Sequence, residues 1–157
     1  MTLLGINEVT EIINQFLEPF ECTAELSTDF EYFYLDNVIG YTFFNIQQDS
    51  KDFSASVERL HPNLNCDIFL WSLLHELGHC ETMDDLTDEE YAESKLIKDQ
   101  IGKSEMDKLA YYDCPDEKYA TEWAVEYANT HVNELRNFWN RLQPAILNVY
   151  KLNSVEE

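Results

Sequence analysis

The chain has 157 residues, long enough for one domain with a sizeable core, and a 45% hydrophobic content favours a folded protein over a disordered one. Its formal net charge is −21, from 10 Lys and Arg against 31 Asp and Glu. Such an acidic surface repels phosphate backbones and anionic lipid headgroups. We therefore expect a single domain over 1–157 that binds neither nucleic acid nor membranes directly and whose protein partners are basic.

Four cysteines are spread widely along the chain, with no CxxC pair among them: Cys22, Cys66, Cys80 and Cys114. This spacing argues against a thiolate metal site and favours reduced, buried thiols. The first residues lack the basic region of a signal peptide, and no apolar run approaches the roughly 18 residues of a membrane span. The sequence therefore predicts a soluble, cytoplasmic protein.

The N-terminal part predicts one helix followed by a small sheet. Apolar residues at helical spacing indicate a helix over 6–20 that stops near Pro19. These residues are Ile6, Val9, Ile13 and Phe16. Aromatic and β-branched residues then predict two or three antiparallel strands, since such residues are enriched in strands. The strands are expected near 22–27, 30–35 and 38–46.

The rest of the chain predicts helices. One is expected within 50–62, and the next begins near Asp67 as N-cap and is apolar nearly all round, which is typical of a central helix. The remaining signals are a Thr87–Glu90 capping box, Pro115 in a first turn, and Pro144, which should break or kink the last helix. The order helix, small antiparallel sheet and helical bundle predicts an α+β fold.

The central helix carries the motif His75-Glu76-Leu77-Gly78-His79. Histidines four residues apart project from one helix face and can bind one zinc ion. Glu76 lies about 100° round the helix from His75, so it can act as general base on metal-activated water. The alternative is a core helix whose two histidines are hydrogen-bonded and inert.

A third ligand must come from elsewhere, and helical geometry favours Glu117. At about 100° per residue, Glu117 shares a face with a strip of alanines, whereas Glu122 and Glu126 lie about 140° and 180° away and face solvent. The strip consists of Ala120, Ala124 and Ala128. Small residues there and Gly78 on the motif helix would let the two helices approach closely. Alternatively, Glu117 complements the helix macrodipole or belongs to a capping box.

Together, "HELGH" and the segment "EKYATEWA" at 117–124 resemble the ImmA/IrrE-type metallopeptidases, gluzincins of phages and mobile elements. The resemblance implies a minimal zincin-like domain in a bacterial or phage-infected cell. It also implies His75, His79 and Glu117 as zinc ligands and Glu76 as catalytic base. The chain departs from the family pattern at Thr121, where Asn or Asp is usual, and the acidic helix expected over 88–101 lengthens the interval between His79 and Glu117.

Several other features stay open at the level of sequence. Candidates for an oxyanion-stabilising donor are Tyr111, Tyr112, Tyr127 and His131. The acidic run over 81–93 is either a solvated surface or a rim that attracts a basic substrate. Cys80 is a buried small hydrophobe or an oxidation-sensitive neighbour of His79. The strand near 41–46 is a core strand or an edge for an extended peptide.

Two functions follow from these patterns. The leading hypothesis is a zinc-dependent metallopeptidase that hydrolyses a peptide bond in a specific protein substrate. The alternative is a non-catalytic acidic decoy that blocks a basic or nucleic-acid-binding host protein and keeps a structural zinc. The −21 charge motivates the second hypothesis, and the motif residues motivate the first.

Overall fold

The computed structural model describes residues 4–27, 32–37, 41–45, 68–101 and 114–153. Within these ranges the chain forms a small antiparallel sheet and five α-helices, so the α+β prediction is confirmed. The elements are α1 (Ile6–Leu17), β1 (Thr23–Leu26), β2 (Tyr32–Asp36), β3 (Tyr41–Asn45), α2 (Ile68–Thr82), α3 (Asp88–Ile101), α4 (Pro115–Thr130) and α5 (Val132–Asn153). The helix expected within 50–62 and the N-cap Asp67 lie outside the described residues.

The three strands form one sheet in the order β1-β2-β3, with both neighbouring pairs antiparallel. In the central strand β2, Phe33 and Leu35 are fully buried while Tyr34 between them is 49% exposed. This alternation is expected when one face of a sheet covers a core and the other faces water. All three strands were predicted from sequence, with ends that differ by a few residues.

Helices α1 and α5 pack against each other through large apolar side chains. The buried residues of α1 are Ile6, Val9, Ile12, Ile13 and Leu17, which includes three of the predicted apolar positions. Phe16, the fourth, is half-buried and stacks on Phe138 with ring centroids 4.1 Å apart. The helix ends at Leu17, where the 3₁₀ turn Glu18–Phe20 carries Pro19 as predicted.

Of the expected break or kink at Pro144, the break does not occur: the helix runs from Val132 to Asn153 with the proline inside it. A proline removes one backbone hydrogen bond and crowds the preceding turn. Here the ring is exposed, and apolar residues on both sides of it, Leu142 and Ala145, are buried in the core. Packing of that face stabilises the helix through the position where local propensity would end it.

Helix α2 is the central helix, as predicted. It contacts strands β2 and β3 and lies along α4. Its buried apolar residues are Leu70, Trp71, Leu73, Leu74, Leu77 and Cys80.

The contact between α2 and α4 is unusually close at Gly78. A Cβ atom built on Gly78 would lie 2.5 Å from the backbone oxygen of Ala120, a distance that real Cβ atoms do not reach. Every other residue type would therefore force the two helices apart. The predicted alanine strip is confirmed, since Ala120, Ala124 and Ala128 are all fully buried.

Helix α3 connects α2 and α4 and begins at the predicted capping box. The Thr87 N–H donates to Glu90 Oε1 at 3.0 Å, and the Glu90 N–H donates to Thr87 Oγ1 at 3.1 Å. Pro115 occupies the first turn of α4, also as predicted. None of the described helices combines the length and apolar character needed to cross a membrane.

Candidate metal centre

Two histidines of α2 and one glutamate of α4 meet at the close contact between these helices. His75 Nε2 lies 2.9 Å from Glu117 Oε1, and His79 Nε2 lies 3.1 Å from Glu117 Oε2. One ligand atom from each of the three side chains falls within 4.8 Å of the other two. The structure thus brings together the three residues that were predicted from sequence as metal ligands.

Burial separates Glu117 from the other glutamates of α4. Glu117 is 3% exposed, whereas Glu122 and Glu126 face solvent, which confirms the facing predicted from helical geometry. The N-cap residue Cys114 makes no side-chain capping bond, and both carboxylate oxygens of Glu117 contact the imidazoles. Glu117 therefore contacts both histidines, and its place in the first turn of α4 also agrees with the macrodipole interpretation.

The charges within the cluster stabilise one another. Burial acts to raise the pKa of Glu117, but hydrogen bonds from His75 and His79 outweigh it and hold that pKa well below the usual range of a carboxyl. Burial also acts to lower the pKa of His79. The hydrogen bond and charge of Glu117, together with the charge of Glu76, reverse this effect and raise it. Glu117 is thus an ionised carboxylate in a buried position.

Thr121 lies one helical turn after Glu117, on the same face of α4, and contacts the other side of the His75 ring. Its Oγ1 is 3.3 Å from His75 Nδ1, and the residue is buried. In a metal-loaded site, a proton on Nδ1 donated to this hydroxyl would leave the Nε2 lone pair free for the ion. The threonine that departs from the family pattern therefore occupies an orienting position.

Glu76, the predicted general base, follows His75 directly in the sequence, and its side chain is half-buried. Its charge contributes to the raised pKa of His79, so the carboxylate lies close enough to act on the cluster electrostatically. It is more accessible than His75, which is 2% exposed. Glu76 is thus a partly exposed residue whose charge acts on His79.

Helix α3 contributes a lysine to the cluster that sequence reasoning missed. Lys98 Nζ donates to Glu117 Oε2 at 2.8 Å and to Asp116 Oδ2 at 2.6 Å. One turn earlier, the buried Ser94 accepts a hydrogen bond from the Asp116 N–H at 3.2 Å. The signal was the spacing of Glu90, Ser94 and Lys98, which places polar side chains on one face of α3 every fourth residue.

The predicted oxyanion donors on α4 and after it do not lie at the cluster. Tyr127 stacks on His131 at 4.1 Å and on Trp123 at 5.2 Å, and it also contacts Phe16 of α1. Ten residues of helix separate Tyr127 from Glu117, a rise of about 15 Å. Tyr111 and Tyr112 lie outside the described residues.

Cys80 is fully buried beside the cluster, in agreement with its interpretation as a small hydrophobe. Its thiol donates a hydrogen bond to the backbone oxygen of Leu35 at 3.9 Å. The interaction with the Cys22 thiol and burial both raise the pKa of Cys80. The thiol is therefore protonated and directed toward the sheet.

The donor set fits a divalent ion of the zinc type. Zinc prefers imidazole nitrogen and carboxylate oxygen at about 2.0–2.2 Å, and a catalytic site has three protein ligands. Two imidazoles and an ionised carboxylate supply that number and chemistry on two rigid helices. Among the residues that the structure describes, no other group of histidines, cysteines and acids has this arrangement.

Comparison of the chain with protein-family models, with curated protein sequences and with solved structures finds no match.

Proposed function

We propose that the chain is a zinc-dependent metallopeptidase of the gluzincin type, with His75, His79 and Glu117 as the metal ligands and Glu76 as general base. The observation that carries the proposal is the convergence of the three side chains within 4.8 Å, from two different helices, beside the motif glutamate. A buried carboxylate that two histidines hold ionised is an arrangement found preferentially at functional sites. The resemblance to ImmA/IrrE-type metallopeptidases stays part of this proposal and rests on the motif residues.

The chain's own residues would divide the chemistry among themselves. A zinc ion held by the three ligands would supply Lewis acidity to a scissile carbonyl and to the attacking water. The Glu76 carboxylate accepts a proton from that water and transfers it to the leaving amine. Thr121 holds the His75 ring by its Nδ1 proton, and the Gly78–Ala120 contact keeps the two ligand-bearing helices at a fixed distance.

The acidic surface on the outer face of α4 favours a basic protein substrate. A cavity of about 290 Å3 lies between the end of α2 and the outer face of α4. Its lining combines carboxylates with aromatic rings: Thr82, Asp85, Tyr119, Glu122, Trp123 and Glu126. Carboxylates attract a lysine or arginine side chain, and an indole ring can stack on a cationic group.

The second candidate function is the non-catalytic acidic decoy, which the net charge of −21 favours. In that case a metal ion held by the three side chains would serve only to fix α2 against α4. The two functions differ in what they require of Glu76, because a structural metal needs its ligands and no general base.

The test is peptide cleavage by Glu76→Gln beside wild type and Glu134→Gln, which removes the same charge from an exposed position of α5. Each zinc-loaded protein is incubated with a library of peptides from a whole proteome, and new termini are identified by mass spectrometry. Cleavage by wild type and Glu134→Gln that falls at least about a hundredfold in Glu76→Gln, at equal zinc content, supports the peptidase. Equal cleavage by all three proteins, or none by wild type, would contradict it.

A further inference from the structure

Lys98 is the one feature of the cluster that the proposed chemistry does not use. Its ammonium group contacts Oε2 of Glu117, the same oxygen that lies 3.1 Å from His79 Nε2. It also contacts Asp116 Oδ2, at a slightly shorter distance of 2.6 Å. The lysine therefore divides its charge between a proposed metal ligand and the residue just before it.

We propose that Lys98 competes with the metal ion for Glu117 and so sets the metal affinity of the site, with Asp116 as the partner that keeps the lysine when the ion is bound. This inference rests on the proposed metal site. Lys98 acts through Glu117 and is a positioning residue. The lysine comes from α3, so the helix between the two ligand-bearing helices controls how readily the site loads.

Electrostatics gives the direction of the effect. A metal–oxygen bond is about 2.1 Å long, so an ion on Oε2 would lie within about 5 Å of the lysine nitrogen. A dication and an ammonium group at that distance repel strongly, even near a protein surface. The lysine side chain is 30% exposed, so solvent and a movement toward Asp116 can relieve part of this repulsion. The repulsion that remains lowers metal affinity.

Asp116 is well placed to hold the lysine in the loaded state. Its other oxygen, Oδ1, accepts a hydrogen bond from the Glu117 N–H at 2.7 Å, and its own N–H donates to Ser94. The carboxylate is therefore fixed at the first turn of α4, independently of Lys98. Removal of Asp116 takes away a carboxylate that holds the lysine away from Glu117 and should strengthen the competition.

The test measures zinc affinity against a chromophoric chelator, together with the melting temperature of each metal-free protein. Lys98→Met removes the charge at similar length, and Lys95→Met removes the same charge from an exposed position of α3. We expect Lys98→Met to bind zinc at least about tenfold more tightly than Lys95→Met. Its metal-free form should melt at a lower temperature because buried Glu117 has lost a partner. If Lys98 had a purely structural role, Lys98→Met would lower both the zinc affinity and the melting temperature of the metal-free protein.

Asp116→Asn should bind zinc more weakly than Asp99→Asn, an exposed position with the same charge change. The difference in zinc affinity between these two variants should shrink when each of them also carries Lys98→Met. Lys98→Arg should keep the zinc affinity of wild type. If Lys98→Met fails to fold, Lys98→Gln takes its place in the test and should bind zinc more tightly than wild type.

Two outcomes would overturn the inference. Zinc affinity of Lys98→Met equal to or below that of Lys95→Met would refute the competition while the zinc site itself stands. Zinc binding by neither wild type nor Lys98→Met would refute the proposed function and the inference with it. Binding by Lys98→Met alone would support both, since the lysine would then be the group that excludes the ion.

Discussion

The two main helix pairs of this protein are built on different principles. The buried residues of α1 and α5 that the structure describes are all apolar, most of them large. Between α2 and α4 the contact is made by Gly78 and the alanine strip, and it encloses polar residues. The buried polar residues of the described chain all lie on α2, α3 or α4: Ser72, His75, Thr82, Ser94, Glu117 and Thr121. The α1–α5 pair contributes stability, whereas the close contact between α2 and α4 holds charged side chains at fixed positions.

The largest effect on stability is expected in the first pair. Leu142 is fully buried on α5, and Leu142→Ala should lower the free energy of unfolding by about 2–5 kcal/mol through lost burial and a cavity. Leu147 on the same helix is 58% exposed, so Leu147→Ala should stay within about 0.5 kcal/mol of wild type. Chemical denaturation measures both. The zinc affinity of folded Leu142→Ala should equal that of wild type. If zinc affinity fell together with stability, the two helix pairs would not have separate roles.

Gly78→Ala tests the close approach in the second pair. In an exposed helix this change stabilises by about 1 kcal/mol, because alanine has the higher helix propensity. Here the added methyl collides with the Ala120 backbone, and overpacking of this kind costs about 1–3 kcal/mol. We therefore expect destabilisation and weaker zinc binding together. A stabilised variant with unchanged zinc affinity would show that the helices can separate without harm to the site.

Thr121→Val separates the orientation of His75 from the packing around it. Valine keeps the shape of the side chain but removes the hydroxyl that contacts His75 Nδ1. Loss of such an orienting partner typically weakens metal affinity about 10–100-fold. Thr130→Val is the control, because Thr130 is exposed at the end of α4 and its hydroxyl bonds to the last turn and to His131. Equal zinc affinity in the two variants would mean that the His75 ring is held by packing alone.

The smallest effect is expected at the start of α3, the helix that carries Lys98. Thr87→Ala removes the hydroxyl that accepts the Glu90 N–H, which typically costs about 1 kcal/mol. Thr87→Ser keeps the hydroxyl and should restore most of the free energy of unfolding. If Thr87→Ala instead leaves stability unchanged, the exposed capping box contributes nothing measurable and α3 is held mainly by its contacts with α4.

Sequence patterns predicted those parts of the fold in which local signals and packing agree. The helix predicted from the apolar spacing of α1, the strand predicted from the aromatic residues of β2 and the Thr87–Glu90 capping box are all confirmed. At Pro144 the local signal was overruled, because the buried face of α5 continues on both sides of the proline. Propensity is a weak guide where tertiary packing decides.

The candidate site was predictable only in part. Glu117 could be chosen because its angular position on α4 is fixed by helical geometry, and its burial confirms that choice. Lys98 could not be placed in the same way, since its contact with Glu117 depends on how α3 lies against α4. Tyr127 was a candidate by residue type alone, and its position along α4 directs it toward Phe16 and His131 instead.

The central claim is that three side chains from two helices form one metal site, and zinc stoichiometry tests it most directly. Native mass spectrometry would count zinc ions on wild type, Glu117→Gln and Glu122→Gln after dialysis against a trace of the metal. We predict about one zinc per chain in wild type and Glu122→Gln and none in Glu117→Gln, because the amide is a poor zinc ligand. Zinc retained equally in Glu117→Gln, or absent from all three proteins, would contradict the account.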